Sequence, residues 1–415
     1  MPRKKKDKPS TKVYTLAMEK QIDGSPVVKD SQRGWITWGQ KNDYPYRLLD
    51  LYNQSPTHHS AIQFAVQSIV GGGVDLEAMK LDSGDVVPNY RYGWDELLRS
   101  LSLDYMLYGM YCLQIIKNKD GKTYSFYHVP FEQVRFSPYD EDGVFTSVWI
   151  SADWTAVSKN PPVELPIVGM DDDDNLAQGK AYAYVYTSYS PATAYYSAPQ
   201  YVSALKAIQN EVEIVNFDLR QSLNNFTPAG MLTLPPVATD EEKNAIIANI
   251  QKMFVGTDNA NSLMITFRED SDDSPVQFTP FEGKQTDVDL YSASNQRTID
   301  RILAAHQIPS RSLIGIPDEG GSGFNSEAAL LETAYNLYNT LTGNYNRNAV
   351  IKSLNLMFKM NGIDTEVIIK PLTFLENSMP KEETTETEEV IDDTTEDNVE
   401  EQRTAIKSVN EKTYG

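Results

Sequence analysis

This 415-residue sequence has a single cysteine, Cys112, only four histidines, and no apolar run close to the ~18 residues a membrane-spanning helix requires. One cysteine cannot close an internal disulfide, and a cysteine-rich structural metal site is excluded. Cys112 lies in the apolar stretch Leu103–Ile116, which predicts a buried, inert thiol. Met1–Lys12 is basic, but no apolar stretch follows, so no signal peptide is read there. The expectation is a soluble protein with no membrane association, made in a reducing cytoplasm.

Catalytic signatures are missing as well. His58 and His59 are adjacent and cannot share a helix face as a metal-binding pair would. With His128 and His306 they are read as capping or hydrogen-bonding residues. No Gly-x-Ser-x-Gly elbow occurs, and no Ser/His/Asp set has a local signature. Two glycine-rich runs, Gly71-Gly72-Gly73 and Gly320-Gly321-Ser322-Gly323, lack the Lys-Ser/Thr of a phosphate loop and the spacing of a dinucleotide fingerprint. Asp171–Asp174 lacks the spaced pattern of a calcium loop and reads as a solvated linker. Asp272-Asp273 and Asp318-Glu319 lie in loops with no partner acid. No catalytic residue, cofactor or metal is assigned, and the chain is expected not to be an enzyme.

Charge is present but uneven. The 37 basic and 58 acidic residues leave a net charge of −21, which in a folded domain repels nucleic acid and anionic membranes. Lys381–Glu401 carries 11 acidic residues against one lysine, about half of that excess. Met1–Lys12 is the opposite, with Arg3, Lys4, Lys5, Lys6, Lys8 and Lys12 against Asp7. Elsewhere basic clusters are sparse. Arg297 and Arg301 stand one helical turn apart, with Arg311 shortly after. They read either as a solvated face or as charges turned toward phosphate. A few cations on an acidic protein would hold DNA weakly, since affinity grows with each neutralised phosphate. The 24 tyrosines suit broad, partly polar contact surfaces or a tyrosine-rich core.

Periodicity predicts an α+β chain. Residues 1–28 read as a flexible arm, and order begins near Gly34-Trp35. Three helices follow, through Leu48 and Tyr52, over Thr57–Val70 ending at the triple glycine, and over Gly93–Tyr108. Short strands are predicted at Met110–Lys117, Thr123–Val129, Val134–Ser137, Phe145–Ser151 and Ala181–Thr187, with Asp120-Gly121 as a hairpin turn. From Val202 to Phe226, apolar residues at 3-4 spacing predict one helix of roughly 30 residues, about 45 Å long. Pro228 and Gly230 stop it. A small insert follows: a strand at Met231–Leu234, a helix from the capping box Thr239–Glu242 to Phe254, and strands at Leu263–Phe267 and Val276–Phe281. A second long helix is expected from Thr286 to His306, ended by Pro309. After the loop Gly315–Asn325, Ser326 is expected to cap a third long helix reaching Leu354, with a kink at Gly343. Glu366–Ile369 reads as a last strand. The residues after Asn377 are too charged and too poor in apolar side chains to order by themselves.

The order of these elements resembles that of the portal proteins of tailed bacteriophages, over about residues 40–375. The resemblance is carried by Asp43-Tyr44-Pro45-Tyr46, by Ser55–Ile62 with Ile69–Val74, and by Asp104-Tyr105 with Tyr108–Tyr111. It continues in Asn224–Leu234 with Gly256, Asn259-Ala260 and Leu263–Ile265, then in Ile302–Pro309 with Leu313–Gly315, and in Phe324-Asn325-Ser326-Glu327. It implies a ring-forming fold with an α/β wing, a two-helix stem, a small α/β clip insert and a long wing helix. The implied divisions are an arm (1–28), an N-terminal wing (29–196), a first stem helix (197–228), a clip (229–283) and a second stem helix (284–308). A tunnel-loop region (309–325), a C-terminal wing helix and strand (326–376) and an acidic tail (377–415) complete them. Family members often carry a helical crown where this chain has the tail, so a crown is not expected.

The function implied is a homo-oligomeric ring, a dodecamer, at one capsid vertex of the virion, assembled in the host cytoplasm. Double-stranded DNA passes through it during packaging and ejection. The implied partners are the large terminase, which supplies the energy, the head–tail adaptor, and the major capsid and scaffolding proteins. The channel loop would comprise Asp318, Glu319, Gly320, Gly321, Ser322, Gly323, Phe324 and Asn325, with Arg297, Arg301 and Arg311 as DNA-facing cations. Other readings of the same helical pair are an adaptor, capsid or baseplate component, or a nuclease or hydrolase with a dispersed site.

Overall fold

The structure, a computed structural model, describes residues 28–29, 34–81, 87–140, 144–168, 176–191, 195–223, 230–235, 239–254, 264–267, 276–280, 285–317 and 324–372. The basic arm (1–28), apart from Val28, and the acidic tail lie outside these residues. A short strand pair, β1 (Val28–Lys29) and β2 (Thr37–Trp38), precedes helices α1 (Tyr44–Gln54), α2 (Pro56–Val70) and α3 (Trp94–Tyr108). Pro45 and Pro56 stand in the first turns of α1 and α2, where a missing N–H leaves no hydrogen bond unmade. Ser55 caps α2 by accepting from the His58 N–H at 3.2 Å. Gly109, left-handed at φ +71°, ends α3.

Two antiparallel sheets follow. β3 (Met110–Lys117) lies between β4 (Tyr124–Val129) and β8 (Ala181–Thr187). The β3–β4 hairpin turns at Asp120-Gly121, where Gly121 has φ +71° and the Asp120 carboxylate accepts from the Lys122 and Thr123 N–H groups. The second sheet has the order β5 (Val134–Phe136), β6 (Ser147–Ile150), β7 (Val163–Pro166). Strand β7 was not anticipated: its four residues are flanked and closed by prolines, and Val163-Glu164-Leu165 alternates over too few positions to signal a strand, so only pairing with β6 defines it. Cys112, on the central strand β3, is wholly buried, and burial pushes its thiol pKa up, as expected of an inert core thiol.

The core lies between these helices and the β3-centred sheet. Trp38 stacks on Tyr196 with ring centroids 4.5 Å apart, and Trp94 meets Phe358 at 4.3 Å. The buried Tyr111 hydroxyl donates to Ala349 O at 3.0 Å and sits 2.6 Å from Ser353 Oγ. Many of the tyrosines are thus core residues whose hydroxyls find partners, not contact surface.

The third long helix is not continuous. It runs as α7 (Phe324–Tyr338), a π turn (Asn339–Gly343) and α8 (Asn344–Met360). A π turn thus stands where the kink at Gly343 was expected. A Cβ at Gly343 would lie 2.8 Å from Ser68 Oγ, so glycine lets this helix close on α2. Arg347, one turn on, donates to the Ser68 and Ile69 carbonyls at the last turn of α2. Helix α7 begins at Phe324, two residues before the expected Ser326 cap.

The expected strand Glu366–Ile369 does not form. Ile369 makes one antiparallel bridge with Val74, with Gly72 N–H donating to Lys370 O (2.8 Å) and Lys370 N–H to Gly73 O (2.9 Å). Gly71–Gly73 is too bent to serve as a strand partner for longer. Instead it permits close approach: a Cβ at Gly71 would lie 2.5 Å from Lys370 O. Gly73 (φ +93°) leaves room for the Asp95 carboxylate, which accepts from the Val74 N–H at 2.7 Å.

Candidate functional site

Helices α4 (Leu205–Leu223) and α6 (Gln285–Ala305) form the helical pair read from the sequence. The described part of α4 covers nineteen of the roughly 30 residues expected. Val202–Ala204 forms a 3-10 turn ahead of it, and residues 224–229 lie outside the described residues. The nineteen described residues of α4 give about 28 Å of helix. Helix α6 ends as the sequence indicates: Gln307 turns left-handed (φ 56°), Ile308 N–H donates to Leu303 O at 3.0 Å, and Pro309 follows.

The two helices run antiparallel. Ser203 and Ala204 lie beside Ala304 and Ala305, while Asn210 Nδ2 donates to Thr298 Oγ1 at 3.0 Å further along. Leu205, Ile208 and Val212 of α4 and Ile302 and Leu303 of α6 are buried at the end nearest the core. Toward the other end apolar burial gives out, and Val215 and Leu219 are 43% and 56% exposed. Side chains at residues 220–231 and 280–292 lie outside the described residues.

Between the helices sits the predicted strand–helix–strand–strand insert. β9 (Gly230–Leu234) is its central strand, with β10 (Met264–Phe267) parallel on one side and β11 (Gln277–Pro280) antiparallel on the other. Helix α5 (Asp240–Phe254) provides the crossover that a parallel β9–β10 pair requires. It opens where the capping box predicts, with Glu242 N–H donating to Thr239 Oγ1 at 3.3 Å.

The pair is anchored to α2 by buried polar groups that the sequence did not single out as a set. Ser55 and Thr57 both donate their hydroxyls to the Glu211 carboxylate on α4, which is only 5% exposed. His58 Nδ1 and His306 Nε2 stand 2.9 Å apart, one ring donating and the other accepting. Tyr201 covers both, with centroids 4.4 Å from His58 and 5.2 Å from His306. Burial holds the pKa of His306 down to about 4 and that of His58 well below the ordinary imidazole value, each neighbouring imidazole adding to the effect on His58. Both rings are therefore neutral at pH 7. Enclosed and facing each other, they serve as structural hydrogen-bonding groups, in line with the bland role expected. The fourth histidine, His128, is different. Burial lowers its imidazole pKa, but the charge and hydrogen bond of Asp104, whose Oδ2 lies 2.7 Å from Nε2, together with the Glu132 charge, raise it above the ordinary value.

Of the expected DNA-facing cations, Arg297 and Arg301 are exposed one turn apart on α6. Arg311 is differently placed. It folds back onto α6, its guanidinium donating to Asp300 Oδ1 at 2.6 and 3.1 Å and to Gln296 Oε1 at 2.5 Å. Asp300 thus offsets its charge. Asp318 to Gly323 lie outside the described residues, and Phe324 and Asn325 belong to the first turn of α7 rather than to the loop. Among the described residues there is no group of three or more His, Cys, Asp or Glu that could hold a metal, and no helix is long and apolar enough to cross a membrane.

These elements define a class: an α+β body, two antiparallel helices that carry a small α/β insert, and a long helix interrupted by a π turn. No protein-family model and no curated protein matches the sequence. The fold itself recurs in solved structures. A chain in the virion of a native gene transfer agent particle matches with a TM-score of 0.50 at 16% identity, covering 84% of this chain and 86% of that one. In the neck of the native particle computed with C12 symmetry the TM-score is 0.51 at 16% identity, over 84% and 86% of the two chains. In the neck of the empty particle computed with C6 symmetry it is 0.51 at 16%, over 86% and 87%. A more distant likeness, with a TM-score of 0.39 at 12% identity over 69% and 84%, is to an HK97 family phage portal protein from Corynebacterium diphtheriae. The chain therefore has the fold found in the neck of gene transfer agent particles.

Proposed function

We propose that this chain is a phage portal subunit, whose copies close into a ring at one vertex of the capsid and pass double-stranded DNA during packaging and ejection. The observation that carries this reading is a fold shared, over most of both chains, with a component of a particle neck computed with twelve-fold symmetry. Twelve copies are the proposed number. In this reading α4 and α6 form the channel wall, and their exposed apolar residues Val215 and Leu219 are covered by neighbouring copies. The insert β9–α5–β10–β11 is the tip that meets the large terminase and later the head–tail adaptor, while the body contacts the major capsid and scaffolding proteins.

Residues 318–323, which lie in the chain between the 3-10 turn Arg311–Ile314 and helix α7 and outside the described residues, are the segment proposed to reach DNA. Arg297 and Arg301 are the cations proposed to face it, and Arg311 makes the weaker contact because Asp300 offsets its charge. A predominantly acidic subunit repeated around a channel keeps DNA from adhering. The chain itself performs no catalysis in this reading, and the terminase supplies the work. Virion location and assembly in the host cytoplasm follow. Electron microscopy of the purified full chain tests the proposal. A closed ring with an open axial channel is the expected result, whereas a stable monomer by light scattering at micromolar concentration, cleaving DNA with a metal, would refute it.

A further inference from the structure

Two exposed surfaces lack what the surface of a chain with a net charge of −21 ordinarily carries. The first runs along α7, the π turn and the start of α8. Leu330, Leu337, Leu341 and Tyr345 are 68%, 47%, 64% and 65% exposed. Steps of seven, four and four residues set them along one helix face, while Tyr335, Tyr338, Thr342 and Asn346 turn into the body. From Thr333 to Asn346 no residue is charged, in a chain where 23% are. Single exposed leucines need no explanation. A row of four exposes on the order of 500 Å² of apolar surface, the size at which a patch marks an interaction site.

The second surface is a groove of about 700 Å³ between α4 and α6. Ser203, Ala207, Asn210, Ser294, Thr298 and Ala304 line it, none with a side chain large enough to fill it. The charged residues at the groove are the exposed cations Lys206 and Arg301.

We propose that the α7–α8 ridge of one copy of this chain seats in the α4–α6 groove of the next. Two copies that each carry a large negative charge repel one another. They approach closely only where that charge is absent, and the ridge is neutral while the groove is weakly positive. The shapes also match: a convex apolar row meets a concave floor of small side chains, and the loss of charged residues is the compositional mark of an interface core. Because ridge and groove are different surfaces, the contact is head-to-tail. Such a contact repeats around an axis instead of ending at a dimer, and it closes as a ring when the rotation between copies divides the full turn, as the ring reading requires. The inference rests on the ring reading above and adds which faces meet; it takes Arg301 into that contact and leaves Arg297 as the α6 cation that faces DNA.

Cross-linking of the full-length chain tests it. Cys112 is buried with its thiol pKa raised, so it stays silent and introduced cysteines report alone. Leu337→Cys or Leu341→Cys, each combined with Ala207→Cys, is treated with a short bis-maleimide. The expected product is a ladder of covalent oligomers on a denaturing gel, absent from every single-cysteine variant. A covalent dimer from Leu337→Cys alone would show ridge against ridge and overturn the proposal. Closed rings by microscopy without cross-links in either double variant would overturn these surfaces and leave the ring reading intact. Monomers at all concentrations would overturn both. As a second measurement, Leu337→Glu with Leu341→Glu is expected to abolish assembly while the circular dichroism spectrum is unchanged, and rings retained by that variant would refute the docking.

Discussion

Acid weakens the attachment of α6 to α2, because His306 on unfolding takes up a proton that it holds poorly when folded. Burial depresses its pKa to about 4, against 6.5 in an exposed imidazole. A depressed histidine pKa means that the unfolded chain binds more protons between these values, so stability is fully present above pH 6.5 and is lost as pH falls toward 4. At pH 5 the loss from His306 alone is about 2 kcal/mol relative to pH 7.5, since each pH unit spent below the unfolded pKa and above the folded one costs about 1.4 kcal/mol. His58, also depressed and 2.9 Å away, adds to the loss with the same sign. His306→Gln keeps a hydrogen-bonding group opposite His58 Nδ1 but cannot titrate. Urea unfolding of the parent chain and the variant, at pH 7.5 and 5 and at equal subunit concentration, isolates the effect, because the many carboxylates titrate alike in both. The parent is expected to lose about 2 kcal/mol more than the variant on going to pH 5. Equal losses would refute the argument that the buried pair is neutral and destabilised by protons.

Three further outcomes follow from named contacts. Glu211→Ala strands the hydroxyls of Ser55 and Thr57 in the interior, and is expected to lower stability by about 2–3 kcal/mol in urea unfolding. Gly73→Ala places a methyl group 2.6 Å from the Asp95 carboxylate at φ +93°, and is expected to lower the Tm through about 1–3 kcal/mol of strain and lost contact. Asp104→Asn returns the His128 pKa toward 6.5. Because a raised histidine pKa stabilises below the unfolded value and ceases to do so as pH rises through the folded value, the variant's deficit should be greatest below pH 6.5 and shrink above the folded pKa of the parent. A deficit that grows with pH would contradict that assignment.

The helices and most strands were legible because their signals are local. The triple glycine after Val70, the Thr239 capping box and Pro309 each mark an end within one turn, and β3 and β8 fall where the apolar runs predict. The failures share a cause. Val163–Pro166 becomes a strand only by pairing with β6, and Glu366–Ile369 fails to become one because its neighbour is a bent glycine run. The loop residues proposed for DNA were recognisable as a glycine-rich stretch, whereas the fold-back of Arg311 onto Asp300 depends on how the chain turns after α6 and had no sequence signal.

By itself, the sequence determined the order of elements, the absence of any recognisable catalytic or metal-binding motif, the position of the insert and the uneven charge, since periodicity, caps, breakers and composition act over a few residues. Only the tertiary structure decided that His58 meets His306 across 248 positions and that Glu211 receives hydroxyls from α2. It also decided that β9 is the insert's central strand, and that Leu330, Leu337, Leu341 and Tyr345 stay exposed while the more polar Thr342 and Asn346 beside them are buried. Burial and hydrogen-bond partnership are properties of what packs opposite a residue, and that is set by contacts distant in the chain.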